Sequence, residues 1–315
     1  MSRKIENLYT FQELINMPEN EDDWLVEDLI PRGVNVGLVG KSESCKSTLL
    51  RQLALSINLR HQEFLGYKLD VKSGNVLYIN TEESWRSVKR KLNFQHSSLL
   101  GTDYNVDSLP GDTYAYFENH GILDFIKDKL GEIEVDLVII DGFADIFSGD
   151  INSSSVVRNF LSDYSNLANS YDLSIIFMHH PGKGCQSITM DSSLGSKSFV
   201  QKLRSVLAIE RKSENYIIYV VKHNDIVIEK KQKVDVLELG EDLILRKVDH
   251  FIKGGARAPH NKSKVDVLLK KYPEVIDDLV HKKCTFDEAI EKLEANNFSV
   301  SRGTLAIAKN KVKNK

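Results

Sequence analysis

The sequence predicts an α/β fold: a mostly parallel sheet flanked by helices, an antiparallel extension of that sheet and a small helical C-terminal domain. Three observations predict it. Short apolar runs alternate with helical stretches between residues 34 and 221, as in parallel sheets covered by helices. Paired apolar runs at 205–223 and 234–248 have the pattern of hairpins. The chain beyond residue 264 has helical spacing throughout.

The parallel strands are predicted where apolar runs are nearly continuous, because strands buried on both faces need no alternating polar residues. These runs are 34–40, 75–81, 136–142 and 173–180. Helices are predicted between them, where apolar residues recur at helical spacing. These stretches are 46–59, 84–94, 121–130 and 153–171. The first hairpin is predicted to pair 205–212 with 216–223.

Composition shifts predict the domain organisation. A segment rich in glycine and basic residues without periodicity, 253–264, is typical of a linker. We therefore expect an N-terminal segment at 1–23, one large core at 24–252 and a small helical domain at 265–315. The last domain has the pattern of a helix-turn-helix, with an N-capped helix beginning near Thr285.

Composition also excludes several classes of protein. The 315 residues carry 42 Lys and Arg against 45 Asp and Glu, and 41% of them are hydrophobic. No stretch approaches the ~18 apolar residues of a membrane span, and the N-terminus lacks the order of a secretory signal, so we expect a cytoplasmic protein. Three scattered cysteines argue against a disulfide framework or a structural zinc: Cys45, Cys185 and Cys284.

The strongest motif follows the first predicted strand and begins the first long helix. It runs GKSESCKS and fits a Walker A loop, in which backbone N–H groups hold ATP phosphates, a lysine reaches the β and γ oxygens and a hydroxyl holds Mg²⁺. Cys45 replaces the second glycine of that pattern. The alternative interpretation is a polar turn that binds nothing. The predicted cofactor-binding residues are Gly40, Ser42, Glu43, Ser44, Cys45, Lys46, Ser47 and Thr48.

Two carboxylates follow later strands. Asp141 ends the run 136–142 and fits a Walker B residue that holds Mg²⁺ together with Ser47. Glu82 follows the run 75–81 and is the candidate general base for the attacking water. In the alternative interpretations, Asp141 only ends a strand, and Glu82 is a helix-start charge, a structural role that Glu83 could also fill.

The order of these motifs resembles a known family. A Walker A loop, a strand followed by glutamate, a Walker B strand and a strand ending in paired histidines are similar to the RecA/DnaB-like ATPases, especially the RepA-type hexameric replicative helicases. The resemblance covers about residues 24–224. It implies a RecA-like core, ATP and Mg²⁺ as cofactors, and a homo-oligomeric, hexameric ring on DNA.

The resemblance also implies roles for four further residues. His179 and His180 match a polar pair that senses the γ-phosphate, and Arg204 matches a finger that reaches the ATP of the neighbouring subunit. Lys222 resembles a second cation acting on the neighbour. The alternatives are a polar strand end for the histidines and ordinary surface charge for the two cations.

Any affinity for DNA must be local, because the net charge is only −3. In RecA-like rings the loops after the Walker B and histidine strands line the channel, and here these are residues 143–152 and 181–196. Lys183 in the second loop and Arg302 in the basic tail are the candidate contacts to single-stranded DNA. The alternatives are a glycine-rich loop and a packing or oligomerisation appendage.

The sequence therefore favours an ATP-dependent motor acting on DNA, most specifically a hexameric replicative helicase. Two alternatives stay open. A RecA-like ATPase could load or remodel proteins on DNA without unwinding it, and Cys45 allows a nucleotide-gated DNA-binding module that does not hydrolyse ATP. The ATPase rate and DNA unwinding would separate these three.

Overall fold

The computed structural model describes residues 10–16, 24–100, 111–151, 153–181, 188, 197–252, 268–269, 271–281, 283–294, 300, 305, 309 and 312. The chain divides into two compact units, residues 1–249 and 250–315. None of the described helices is long and apolar enough to cross a membrane. The boundaries expected at residues 23, 252 and 264 stay predictions.

Thirteen strands are described in chain order. They are β1 (Trp24–Val26), β2 (Ile30–Pro31), β3 (Asn35–Val39), β4 (Glu63–Phe64), β5 (Tyr67–Lys68), β6 (Val76–Asn80), β7 (Thr113–Tyr116), β8 (Leu137–Asp141), β9 (Ser174–His179), β10 (Ser205–Lys212), β11 (Asn215–His223), β12 (Lys233–Leu239) and β13 (Leu245–Ile252).

The described helices lie between the strands and in the second unit. They are α1 (Phe11–Asn16), α2 (Lys46–Asn58), α3 (Trp85–Leu100), α4 (Ile122–Glu132), α5 (Phe143–Ile146), α6 (Ser154–Tyr171), α7 (Lys197–Lys202), α8 (Ile228–Lys231), α9 (Pro273–Val280) and α10 (Phe286–Glu294).

Nine strands form the main sheet, in the order β13-β12-β11-β10-β3-β9-β8-β6-β7. The six strands from β10 to β7 are parallel to their neighbours, whereas β11 runs antiparallel to β10 and β12 antiparallel to β11. This is the predicted RecA-like sheet with its antiparallel extension. The strands β3, β6, β8 and β9 are buried at every position, which explains their continuous apolar sequences.

Two glutamines hold the helix α2 close to the antiparallel strands β12 and β13. The side chain of Gln52 donates to the carbonyl of Leu245 (3.0 Å) and accepts from the amide of the same residue (2.8 Å). Gln95 on α3 donates to the carbonyls of Thr48 (2.9 Å) and Leu243 (3.0 Å). These bonds fix the helix that follows the phosphate loop to the turn between β12 and β13.

Three of the differences from the sequence prediction concern the sheet and the elements near the phosphate loop. The edge strand β7 was not predicted, because its sequence TYAY is short and only partly buried. The helix predicted at 84–94 continues to residue 100. The loop predicted at 143–152 begins with the short helix α5, whose Phe143 is buried among aromatic rings.

The second unit has a small core of its own. Ile276, Leu279 and Leu293 are among the residues buried there. The helix α10 begins at the predicted cap, where Thr285 Oγ accepts from the amide of Glu288 (3.3 Å) and the carboxylate of Glu288 accepts from the amide of Thr285 (2.7 Å). This reciprocal pair is a capping box, and it confirms the N-capped helix.

Candidate functional site

The candidate site lies at the edge of the sheet where the parallel strands end. Val39 pairs with His179 in register, and Asp141 pairs with both Met178 and Asn80. The residues that follow β3, β6, β8 and β9 therefore meet at one edge. In open α/β sheets this is the edge at which ligands bind.

The phosphate loop has the backbone that its motif requires. Gly40 cannot be replaced without a clash, because a Cβ there would meet Ser44 Oγ and the carbonyl of Ile209. Cys45 precedes α2 with φ 65° and ψ 23°, and Glu43 has φ 61°. The cysteine thus adopts the left-handed conformation that favours glycine, at a cost of about 1 to 2 kcal/mol. The loop geometry survives the missing glycine.

The side chain of Lys46 folds back onto the first residues of the phosphate loop. Its Nζ donates to the carbonyls of Gly40 and Lys41, both at 2.8 Å, and lies 3.4 Å from Nδ1 of His180. Burial lowers the pKa of Lys46 to about 8, while the nearby carboxylates of Glu82 and Asp141 oppose that shift. Because its hydrogen-bond partners are neutral, the ammonium keeps its charge available for an anion.

Ser47 and Asp141 form a pair of oxygen donors beside Lys46. Ser47 Oγ donates to Asp141 Oδ1 at 3.1 Å. The other carboxylate oxygen, Oδ2, accepts from the hydroxyl of Tyr78 at 2.5 Å and lies 3.4 Å from Asn80 Nδ2. Burial raises the pKa of Asp141, and the bonds from Tyr78 and Ser47 oppose that shift. The carboxylate is thus held by β6 on one side and faces the loop on the other.

Glu82 and His180 complete the edge. Nε2 of His180 lies 3.5 Å from Oε1 of Glu82, and both side chains are about 40% exposed. Burial and the charge of Lys46 lower the pKa of His180, although Glu82 opposes them. The ring is therefore a neutral bridge between the lysine and a carboxylate that is open to solvent.

The neighbouring Glu83 is held by other groups. Its carboxylate accepts from Arg51 Nη1 (3.1 Å), Ser87 Oγ (2.8 Å) and Lys91 Nζ. Burial favours a higher pKa for Glu83, but the hydrogen bonds and the two cations outweigh it and lower the pKa. Arg51 also donates to the hydroxyl of Thr48 (3.3 Å). Glu83 thus joins the starts of α2 and α3, whereas the carboxylate of Glu82 is exposed to solvent and lies beside His180.

The two histidines lie on opposite sides of the strand end. His179 is buried and packs edge-on against Phe143 and at a tilt against Phe199, with ring centroids 5.4 and 5.0 Å apart. Successive side chains of a strand point to opposite faces. The structure therefore brings His180, and not His179, to Lys46 and Glu82.

The thiol of Cys45 faces the β10–β11 hairpin. It shares a hydrogen bond with the hydroxyl of Tyr216, and burial raises its pKa although this bond and the charge of Arg211 oppose the shift. The group is a thiol and not a thiolate at neutral pH. This argues against a nucleophilic role for the cysteine.

Arg204 and Lys222 lie at the opposite edge of the sheet. The amide of Arg204 donates to the carbonyl of Asn35, at the beginning of β3, which is about 16 Å along the strand from the phosphate loop. Its guanidinium donates to both carboxylate oxygens of Asp225 (3.2 and 3.0 Å). Lys222 Nζ donates to three carbonyls at the end of α7. Neither cation reaches the loop of its own chain.

Two predicted contacts, Lys183 and Arg302, lie outside the described residues. Conversely, three residues of the site were not predicted from the sequence: Tyr78, Asn80 and Arg51. Tyr78 and Asn80 alternate along β6 and so share a face with each other, but an aromatic residue within an apolar run has the pattern of core. The one available signal was the polar Asn80 at the end of that run.

A protein-family model matches the part of the chain that carries this site. Residues 4–186, more than half of the chain, match the family model described as AAA domain. The chain belongs to this family. Among solved structures, the crystal structure of the RadB recombinase is similar, with 13% identity, a TM-score of 0.48 and coverage of 70% of this chain and 93% of that one. No curated protein matches the sequence.

The AAA domain and the sheet together define the class of protein. The match includes the phosphate loop, the strand before Glu82 and the strand that ends in Asp141. The chain is thus a RecA-like protein of the P-loop ATPase class. Its loop, its buried lysine and its Ser47–Asp141 pair match in residue type and order the phosphate and Mg²⁺ positions of the P-loop pattern.

Proposed function

We propose that this chain is an oligomeric ATPase that acts on DNA, and that each active site lies between two copies of the chain. One observation carries the proposal. Lys46, Ser47, Asp141 and Glu82 meet at one edge of the sheet, whereas Arg204 lies at the other edge. If Arg204 acts on a nucleotide, that nucleotide must therefore be bound by another protomer.

The residues present fit ATP and Mg²⁺. The left-handed backbone at Glu43 and Cys45 keeps the loop open to phosphate oxygens, and Lys46 supplies the buried positive charge. Ser47 and Asp141 supply the hard oxygen ligands that Mg²⁺ prefers. When bound, the metal neutralises charge that develops on the phosphates during transfer. The residues of the chain itself position the nucleotide.

Glu82 is the proposed general base. Phosphoryl transfer to water needs a group that orients the water and accepts its proton. Glu82 lies two residues after β6 and has no arginine partner among the residues that the structure describes, whereas Glu83 is occupied by Arg51 and Lys91. His180 lies between Lys46 and Glu82, so it is placed to respond when a γ-phosphate arrives.

Arg204 is the proposed finger acting on the neighbouring protomer. Its guanidinium already has a bidentate carboxylate partner, Asp225, which holds it at the surface in a defined direction. All three donors of the Lys222 ammonium are occupied by carbonyls beside it. We therefore assign Lys222 to positioning the segment before Arg204.

The proposal has three more specific parts: DNA as the partner, a hexameric ring and helicase activity. They rest on the resemblance of the motif order to RepA-type helicases. The conformation of Cys45 supports hydrolysis over simple nucleotide gating, because the loop keeps the backbone of a glycine at that position. Loading proteins on DNA without unwinding is the remaining alternative.

One experiment tests the proposal. The ATPase rate is measured with and without single-stranded DNA, together with particle mass in the presence of nucleotide and unwinding of a forked duplex. Lys46→Ala should abolish nearly all turnover, and Lys41→Ala, which removes an exposed lysine from the same loop, is the matched control. Stimulation by DNA without unwinding would favour the loader. Full activity of a monomer would exclude the shared site.

A further inference from the structure

The exposed face of α3 carries cations and aromatic rings but no carboxylate. The helix has the sequence WRSVKRKLNFQHSSLL, with four Lys and Arg and no Asp or Glu. Trp85 is 51% exposed and Phe94 is 55% exposed. We call the exposed aromatic and basic residues the α3 face: Trp85, Arg86, Lys89, Arg90 and Phe94.

Helix geometry places these residues on one side. At 3.6 residues per turn, the five positions fall within about half of the helix circumference. Arg86 and Arg90 are one turn apart, and Lys89 lies beside them. Trp85 and Phe94 are nine residues apart, or about 13.5 Å along the axis. The cations thus lie between two exposed rings.

The charge of this face is not cancelled locally. Of the four cations on α3, the described residues pair only Lys91 with a carboxylate, that of Glu83. Arg86 lies over the ring of Trp85, with 4.8 Å between the guanidinium carbon and the ring centroid. Such a contact orders the ring and leaves the positive charge in place. The face therefore combines an ordered aromatic surface with uncompensated charge.

We propose that the α3 face binds single-stranded nucleic acid. Its cations would contact the phosphates, and the rings of Trp85 and Phe94 would stack on unpaired bases. Proteins that bind single strands without sequence preference combine these two elements. Charge alone would suit any anionic partner. The exposed rings at both ends of the basic stretch are what favour nucleic acid over an acidic protein.

This contact is separate from the phosphate site and from the loop and tail contacts expected at Lys183 and Arg302. It does not depend on ATP hydrolysis, so it can be tested without nucleotide. A Lys46→Ala protein should retain it. Failure of this inference and failure of the proposed ATPase function are thereby distinguishable.

The two tryptophans of the chain allow a local measurement. Trp24 lies on β1 and packs against His223, with ring centroids 5.2 Å apart, whereas Trp85 is on the α3 face. In a Trp24→Phe protein, Trp85 is the sole tryptophan reporter. Adding an oligothymidine of about 20 nucleotides, long enough for a typical single-strand site, should quench its fluorescence. In a Trp85→Phe protein the remaining signal from Trp24 should not change.

A charge variant tests affinity. Arg86→Ala/Lys89→Ala/Arg90→Ala should bind a fluorescein-labelled oligothymidine at least about tenfold more weakly at low salt, and the slope of log affinity against log salt should fall by about 2 for three lost contacts. The matched control removes three exposed lysines elsewhere for which the described residues give no ion pair: Lys68→Ala/Lys202→Ala/Lys283→Ala. Thermal unfolding of both variants checks that they are folded.

Three results would overturn the inference. The first is equal affinity of the charge variant and its control. The second is quenching of Trp85 by polyglutamate as strong as by oligothymidine, which would indicate an acidic protein partner. The third is a loss of particle mass in the charge variant without DNA while DNA affinity is kept, which would assign the face to self-association. Weaker quenching by duplex than by single strand would support base stacking.

Discussion

The hydroxyl of Tyr78 donates a hydrogen bond of 2.5 Å to Oδ2 of Asp141. Asp141 is 1% exposed, so this bond decides which of its oxygens faces Ser47. Partners of a metal ligand orient it, and their loss typically weakens metal binding by about tenfold or more. The tyrosine thus positions a ligand of the proposed Mg²⁺ site through its bond to Asp141.

Tyr78→Phe should raise the Mg²⁺ concentration needed for half-maximal binding of a fluorescent ATP analogue by about tenfold. The affinity measured without Mg²⁺ should change little, because the lysine and the loop are untouched. Tyr164→Phe removes a buried hydroxyl from α6 and is the control. Identical Mg²⁺ dependence in the two variants would remove Tyr78 from this role.

The adjacent glutamates should respond differently to pH. The folded pKa of Glu83 lies below its usual value of 4.5, so its stabilising contribution is present above that pH and is lost as pH falls through the folded pKa. Glu83→Gln should cost about 2 kcal/mol of unfolding free energy at pH 7, because Arg51 loses its ionic partner. This difference should shrink below pH 4.5.

Denaturant unfolding at several pH values measures this difference. Glu82→Gln is the control and should show little change in stability at any of them. It should instead retain ATP binding and lose hydrolysis. If Glu83→Gln loses hydrolysis while Glu82→Gln turns over normally, the assignment of the base is reversed.

Substitutions of Cys45 should rank by their tolerance of a positive φ. Cys45→Gly relieves the left-handed strain and should raise the unfolding free energy by up to about 1 kcal/mol, less what is lost with the Tyr216 contact. Cys45→Val places a β-branched residue at φ 65° and should lower it by at least about 1 kcal/mol. Urea unfolding of the two variants and the wild type gives the order. A valine variant as stable as the glycine variant would mean that the loop relaxes.

The position of Arg204 predicts complementation between inactive proteins. Arg204→Ala should bind ATP but hydrolyse little, and Glu82→Gln should behave likewise. Mixed assemblies contain interfaces that pair an intact Glu82 with an intact Arg204 from another copy, so mixing should restore part of the ATPase rate. Mass measurements must first show that subunits exchange. If they exchange and the mixture stays inactive, the shared site loses its support.

Local sequence was sufficient for the four fully buried parallel strands, β3, β6, β8 and β9, and for the phosphate loop. Buried parallel strands have continuous apolar sequences, and the loop motif has fixed spacing, so both are visible within a few residues. Partners that depend on strand register were not visible. The bond from Tyr78 to Asp141 joins residues 63 positions apart, and the Arg204–Asp225 pair requires the β10–β11 register.

For the paired histidines, the sequence allowed a distinction that the family resemblance did not make. The resemblance gave both of them one role, yet adjacent residues at a strand end point to opposite faces. That rule was available from the sequence and would have separated His179 from His180. The sequence did not show which of the two histidines lies beside the phosphate loop. That depends on the position of α5, whose Phe143 packs on His179. A short helix in a polar stretch gives no periodic signal.

The place of β3 in the sheet has a consequence for how this protein is made. β3 precedes the phosphate loop, and its neighbours on the two sides are β9 and β10, which begin at Ser174 and Ser205. A ribosome that has released the loop and α2 has therefore made neither of the strands that hold β3 in place. The nascent chain carries its Walker motif for well over a hundred residues of synthesis before the sheet around it can close. The strands on both sides of β3 are therefore completed only after β10 has been made, so we expect the chain to bind nucleotide late in its synthesis.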